Sequence, residues 1–309
     1  MLRELFIRLS QNGTARDFVT HFGPARRAAR RFVAGETLDE AVAVVRALNA
    51  RGIKGLLNEV GESVTTPEEA NQAAQAFHHL LHRIHAEKLD ATISLKPSHI
   101  GLSFGPDFYY ENVAGIVETA RQLGNTVEID IEGSPDVPAT LDVYHRLLDT
   151  FGGGVRQAVQ AYLYRTPADV QAIANRGGSI RLVKGAYSEP PEIAHQSKTA
   201  INQAAIELME IFLSDEAQAN GAYLALGSHD PVLIEWLIRE ARARGIGKDR
   251  FEFQMLLGVR RDEQQRLADL GYTVRVYVPY GRAWYPYFMR RLAERPANVL
   301  FMARAVIGK

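Results

Sequence analysis

The sequence predicts an α/β protein: a (β/α)8 TIM barrel over residues 51–309, preceded by an N-terminal helical segment over residues 1–50. Short apolar or β-branched runs alternate with helix-forming stretches eight times over roughly 250 residues, the usual length of such a barrel. Gly124, Gly177, Gly245 and Gly271 each stand just past a predicted helix and shortly before a predicted strand, where a left-handed cap is needed. No Gly-, Pro- or Ser-rich linker and no low-complexity tract divides the chain, which weighs against the alternative, a two-domain α/β protein.

Within residues 1–50, PARRAARRF (24–32) reads as a solvated basic helical face rather than an anionic-lipid contact. Thr37 and Glu40 form a capping-box pattern ahead of AVAVVRALNARG, a helix stopped near Gly52. IKGLLNEVGE is the first strand region, and Thr66-Pro67 opens a helix running to about Lys88. ATISLKPS precedes a helix from Asp107 to Leu123, and TVEIDIEG one from Pro138 to Thr150. VRQAVQAYLYR leads through Thr166-Pro167 to a helix ending at Gly177, and SIRLVKGAY to one from Lys198 to Leu213. AYLALGSHD is followed by Asp230-Pro231 and a helix ending at Gly245, and FEFQMLLG by RRDEQQRLADLG. The last strand, Thr273 to Val278, is expected to stop at Pro279-Tyr280-Gly281, because proline lacks a ladder donor. Gly152-Gly153-Gly154 precedes a strand instead of opening a helix, so it is no phosphate loop.

Of the 309 residues, 46% are hydrophobic and 23% charged, enough for a sizeable core. Lysine plus arginine equals aspartate plus glutamate at 36 each, so no global charge attracts nucleic acid or an anionic membrane. With no cysteine, disulfide, thiolate and iron–sulfur chemistry are excluded, and a cytoplasmic location is compatible with the composition. No apolar run reaches the roughly 18 residues of a spanning helix. His78, His79, His82 and His85 include an i, i+4 pair that could hold zinc, but no HExxH glutamate stands between them; the reading is a polar helical face and no metal.

Barrel chemistry gathers at the strand C-termini, and polar residues crowd there. Glu62 follows strand one, Lys96 ends strand two, Asp130 and Glu132 end strand three, and Gln160 with Arg165 mark strand four. Arg181 and Lys184 belong to strand five, Ser228, His229 and Asp230 follow strand six, Gln254 lies in strand seven, and Tyr277 ends strand eight. Charges in apolar strands are costly unless paired or used, which makes a purely structural reading of the whole set poor. Arg290 and Arg291 sit on the final helix with Glu294 in reach of either; together with Lys96 they suit an anion such as a carboxylate. A large cofactor across the mouth and a Schiff-base lysine at Lys96 or Lys184 remain open alternatives on chemistry alone.

In order and spacing, SLKP, EIDIEGS, QAYLYRT, RLVKGAY, FEFQMLLGV and RVYVPYG followed by RRLAE resemble proline dehydrogenases, including the corresponding domain of bifunctional proline-utilisation enzymes. The resemblance implies a distorted (β/α)8 flavoenzyme that uses FAD to oxidise L-proline to 1-pyrroline-5-carboxylate, the first step towards glutamate. It also implies that a hydride leaves proline C5, that the amine must be neutral, and that electrons pass to a quinone; with no spanning helix, the acceptor is expected at a bilayer surface or through a soluble carrier. Carried over by motif, Lys96, Arg290 and Arg291 hold the carboxylate, Tyr277 packs on the ring, and Asp130 and Arg181 are catalytic-site positions. Glu62 pairs with Arg290 as a lid. The resemblance implies FAD contacts at Ile131, Gln160, Arg181, Val183, Lys184, Gly185, Ala186, Ser228, His229, Gln254 and Glu294. The chain departs from the family at Asn58, where aspartate is usual, at Ser228, where threonine is common, and at Ser188-Glu189-Pro190-Pro191.

Overall fold

A computed structural model describes residues 29–61 and 64–294; the side chains of residues 290–294 lie outside that description. Helix α1 (Leu38–Asn49) is followed by β1 (Lys54–Glu59), α2 (Pro67–Ala86), β2 (Ala91–Leu95), α3 (Pro106–Gln122), β3 (Val127–Ile129), α4 (Val137–Phe151) and β4 (Val155–Gln160). The chain continues through α5 (Thr166–Asn175), β5 (Ser179–Val183), α6 (Lys198–Phe212), α7 (Asp215–Ala219), β6 (Tyr223–Gly227), α8 (Pro231–Ala243), β7 (Phe251–Leu256), α9 (Arg261–Asp269), β8 (Thr273–Tyr280) and α10 (Trp284–Glu294). The strands form a closed barrel in sequence order, every neighbour parallel, with β1 closing on β8.

Local chemistry accounts for the helix boundaries. Thr37 accepts from the Glu40 N–H while the Glu40 carboxylate accepts from the Thr37 N–H, a capping box that Thr66 and Glu69 repeat at α2 with Pro67 in the first turn. The glycines past α3, α5, α8 and α9 all adopt positive φ, 65° to 79°. At Gly177 space is also short, since a Cβ there would stand 2.0 Å from the Asn220 carbonyl oxygen.

Strand parity sorts the side chains. On β1 Gly55 faces outward, and a Cβ would stand 2.9 Å from Val45 of α1, so the missing side chain lets that helix close on the sheet. Outward Leu57, Ile93 and Ile129 join Val45, Phe77, Leu80, Ile116 and Val117 of the covering helices in the main core. A second cluster lies beside α10, where Ala29, Phe32, Val33, Val60 and Val259 pack with Trp284, Tyr285, Tyr287, Phe288 and Met289.

Two sequence expectations are corrected. Strand β8 runs two residues past Val278, because Pro279 and Tyr280 pair with Asn58 and Glu59 of β1. On the other edge β7 has already left, and the preceding segment takes its place: the Ala34 N–H donates to the Pro279 carbonyl at 2.9 Å, so proline serves there as an acceptor. Arg165 does not mark β4, which ends at Gln160; it precedes α5 and forms an exposed i, i+4 pair with Asp169.

Candidate active site

The interior of the barrel is a ladder of charges rather than an apolar plug. Side chains two apart on a strand share a face, so Glu128 stands below Asp130, Glu252 below Gln254, and Arg275 below Tyr277. On the floor, Arg156 Nη1 donates to Glu128 Oε1 and Glu252 Oε1, both at 2.7 Å, and Arg275 forks onto Glu252 at 2.9 and 3.1 Å. Gln254 Nε2 donates to the same two carboxylates at 2.7 Å. Burial pushes the Glu252 carboxyl up, but Arg275 and Arg156 outweigh it and hold the group far below the usual range. A buried pair survives only with such dense hydrogen bonding.

Above the floor, Arg181 bridges two carboxylates of the β3 region: Nη1 lies 3.4 Å from Glu128 Oε2 and Nη2 donates to Asp130 Oδ1. Asp130 is the hub. It also accepts from Ser94 Oγ at 2.6 Å, Lys96 Nζ at 3.4 Å and Tyr277 Oη at 3.3 Å. Burial by itself raises the Asp130 carboxyl, but Arg181, Lys96 and these hydrogen bonds prevail and hold it at about 2. Asn58 supports the hub from β1, donating to the Ser94 carbonyl at 2.7 Å. Tyr277 stacks on Tyr287 of α10, centroids 6.3 Å apart at 18°. Across this linked set Arg156, Arg181, Arg275 and Lys96 face Glu128, Glu252 and Asp130, four cations against three carboxylates.

Lys184, one residue past β5, donates to Asp230 Oδ2 at 2.5 Å, and Asp230 caps α8 through the Val232 N–H. Burial raises the Asp230 carboxyl, yet Lys184 and that N–H outweigh it and bring it to about 2. Ser228 Oγ accepts from the Asp230 N–H, and the Leu256 N–H donates to His229 Nε2 at 2.9 Å, so the His229 ring is an acceptor at that nitrogen. Gln160 donates to the Glu132 carbonyl, while Glu132 accepts twice from Ser98. Burial pushes the Glu132 carboxyl up, in part opposed by Lys96. Ile131 is buried, Val183 and Gly185 are half-buried, and Ala186 is exposed beside them. The Ser188–Pro191 segment is tied across to the loop after β3, where Glu189 accepts from Ser134 N and Oγ, each at 2.7 Å.

Asp130, Arg181, Lys96 and Tyr277 thus meet around one carboxylate, and Gln254 lies in the network below. Lys184, Ser228 and His229 form a second zone over β5 to β7. Arg290, Arg291 and Glu294 are on α10 with side chains outside the described residues, as is the whole of Glu62. Sequence reasoning missed Ser94, Glu128, Arg156, Glu252 and Arg275; the signal was parity, since each but Arg156 stands two residues before a residue it did single out. His78 hydrogen-bonds Thr119 at 2.8 Å, and among the described residues no group of three or more His, Asp or Glu side chains is arranged for a metal. Among the same residues no helix is long and apolar enough to cross a membrane.

A family model described as proline dehydrogenase matches residues 41–304. Proline dehydrogenase 1 of Bacillus subtilis subsp. natto is 37% identical over 309 residues, 100% of both chains. Proline dehydrogenase of Deinococcus radiodurans is 38% identical over 283 residues, 90% of each. Among solved structures, proline utilization A from Bdellovibrio bacteriovorus, inactivated by N-propargylglycine, superposes with a TM-score of 0.85 at 20% identity, over 98% of this chain and 37% of that one, a likeness of fold. On the match of model and relatives along nearly its whole length, the chain belongs to the proline dehydrogenase family of oxidoreductases.

Proposed function

We propose that the mouth of the barrel binds L-proline by its carboxylate against an FAD and oxidises it to 1-pyrroline-5-carboxylate, with electrons passing to a quinone. The observation that carries the reading is the Asp130 hub, where Arg181, Lys96 and Tyr277 converge at the strand C-termini. Lys96 then holds the substrate carboxylate with Arg290 and Arg291, and Tyr277 offers its ring to the pyrrolidine.

Asp130 is no proton acceptor in this reading. Held at about 2, it stays an anion that orients Arg181 and Lys96, and it does not take the proton that the substrate amine must lose. The residues over β5 to β7 fit a flat, heteroatom-rich ring system. Ala225 and Gly227 leave the inner face of β6 bare, and a Cβ at Gly227 would stand 2.8 Å from Val183 and 3.3 Å from Arg181. Gln254 Oε1 is buried without a hydrogen-bond partner. Arg181, Lys184, Gln160, Ser228, His229 and Gln254 would hold the group, with Ile131, Val183, Gly185 and Ala186 as walls and Glu294 from α10. When bound, the flavin supplies the acceptor for the hydride from proline C5. Against a Schiff-base lyase, both candidate lysines are occupied in ion pairs, Lys96 with Asp130 and Lys184 with Asp230.

The test is anaerobic titration of the FAD-loaded protein with L-proline. The flavin absorbance should bleach, and turnover should follow with a short-chain quinone but not with NAD. A protein that binds no flavin, or whose flavin L-proline leaves oxidised, defeats the reading. The quinone is expected to be met at a bilayer surface by peripheral contact.

A further inference from the structure

We propose that Glu128 is a positioning residue that sets the electrostatic potential of the active-site mouth through Arg181. The inference rests on the reading of that mouth as a flavin and carboxylate site. Glu128 is 1% exposed and faces three guanidinium groups: Arg156 Nη1 at 2.7 Å, Arg181 Nη1 at 3.4 Å and Arg275 Nε at 4.0 Å. Its Oε1 binds the floor, taking Arg156 and Gln254, and its Oε2 faces upward to Arg181. Glu252 saturates Arg275 and shares Arg156, but no bond joins it to Arg181. Glu128 is therefore the joint between a self-contained floor and the working cation above it.

The geometry defines what the joint does. Arg181 divides its guanidinium between two carboxylates two residues apart, Glu128 below and Asp130 above, so its plane is held from both ends. Glu128 also cancels one of the four linked cations; without it the set holds four cations against two carboxylates. In a water-poor interior such a charge is weakly screened and is felt at the mouth. Reduction adds electrons to the flavin ring system, so a more positive surround favours it, and the same change attracts a substrate carboxylate.

The experiment uses the FAD-loaded full chain with Glu128→Gln, an isosteric exchange that removes the charge. The flavin midpoint potential should rise by about 30 mV, the equivalent of a tenfold change for a two-electron couple. A cyclic carboxylate lacking the ring nitrogen should bind about tenfold tighter, whereas a cyclic amine lacking the carboxylate should not. Glu252→Gln removes the same charge one link further away and should shift both readings less. Glu128→Asp keeps the charge but withdraws it from Arg181, so a smaller upward shift is expected, which keeps the test decisive if the glutamine variant fails to fold. An unchanged potential and anion affinity in either Glu128 variant overturns the proposal, as does an equal shift from Glu252→Gln. A wild-type protein that binds neither flavin nor carboxylate would instead refute the underlying site reading.

Discussion

Asp130→Asn tests the hub most directly. The amide is isosteric and can still accept from Ser94, but it removes the charge that pairs with Arg181 and Lys96. Arg181 keeps neutral contacts to Oδ1 and Ser94 and its longer contact to Glu128 at 3.4 Å but loses a charge partner, while Lys96 and Tyr277 face an NH2 donor in place of Oδ2. Removing one partner of a buried hydrogen-bonded charge pair costs on the order of 2 to 5 kcal/mol. Taking about 3 kcal/mol, kcat/KM for L-proline should fall about a hundredfold. The assay is steady-state turnover with an artificial acceptor, alongside the rate of anaerobic flavin reduction. Because the wild-type carboxyl is held at about 2, it does not titrate near neutrality, and the pH profile of the variant should keep its shape while dropping in height. A second reading is stability against pH. The carboxyl lies below its ordinary 3.8 in the folded state, so its contribution is complete above about pH 5 and is lost progressively as pH falls through its folded value of about 2. The wild type should lose stability over that window more steeply than the variant. Turnover within threefold of wild type, or loss of a limb of the pH profile near neutrality, would show that Asp130 does not act as a fixed anion.

Arg291→Met should damage kcat/KM more than Arg290→Met, with lysine a poor substitute at Arg291, because adjacent helix positions point about 100° apart and a point charge loses the bidentate fork; equal carboxylate-inhibitor affinity in both mutants and wild type would place the anion site elsewhere. Tyr277→Ser should narrow the preference for proline over 4-hydroxyproline, read as the ratio of kcat/KM values, and an unchanged ratio would remove the tyrosine from selectivity. Asp230→Ala should lower stability by about 1 kcal/mol for the lost helix cap and more for the freed Lys184, measured by chemical denaturation; no change in midpoint would contradict the capping role.

Features that depend only on neighbours along the chain were legible before any tertiary contact. The eight alternations of strand and helix, the Thr37–Glu40 capping box, and the glycines after α3, α5, α8 and α9 are local requirements of backbone geometry, legible without any partner. The polar residues at the strand ends were legible for the same reason, since a charge at the end of an apolar run declares its cost. Arg165 misled because the run VRQAVQAYLYR continues apolar past Gln160, where the backbone turns away. Pro279 misled because a missing donor harms a strand only on an edge that needs one, and the Ala34 N–H, from 245 positions away, donates to the proline carbonyl instead. Tertiary structure alone decided the ladder beneath the mouth. Glu128, Arg156, Glu252 and Arg275 lie on four strands, and whether each is a stray charge or a member of one network depends on the register at which the barrel closes. That register is set by non-local pairing and packing of all eight strands, which no window of the chain contains.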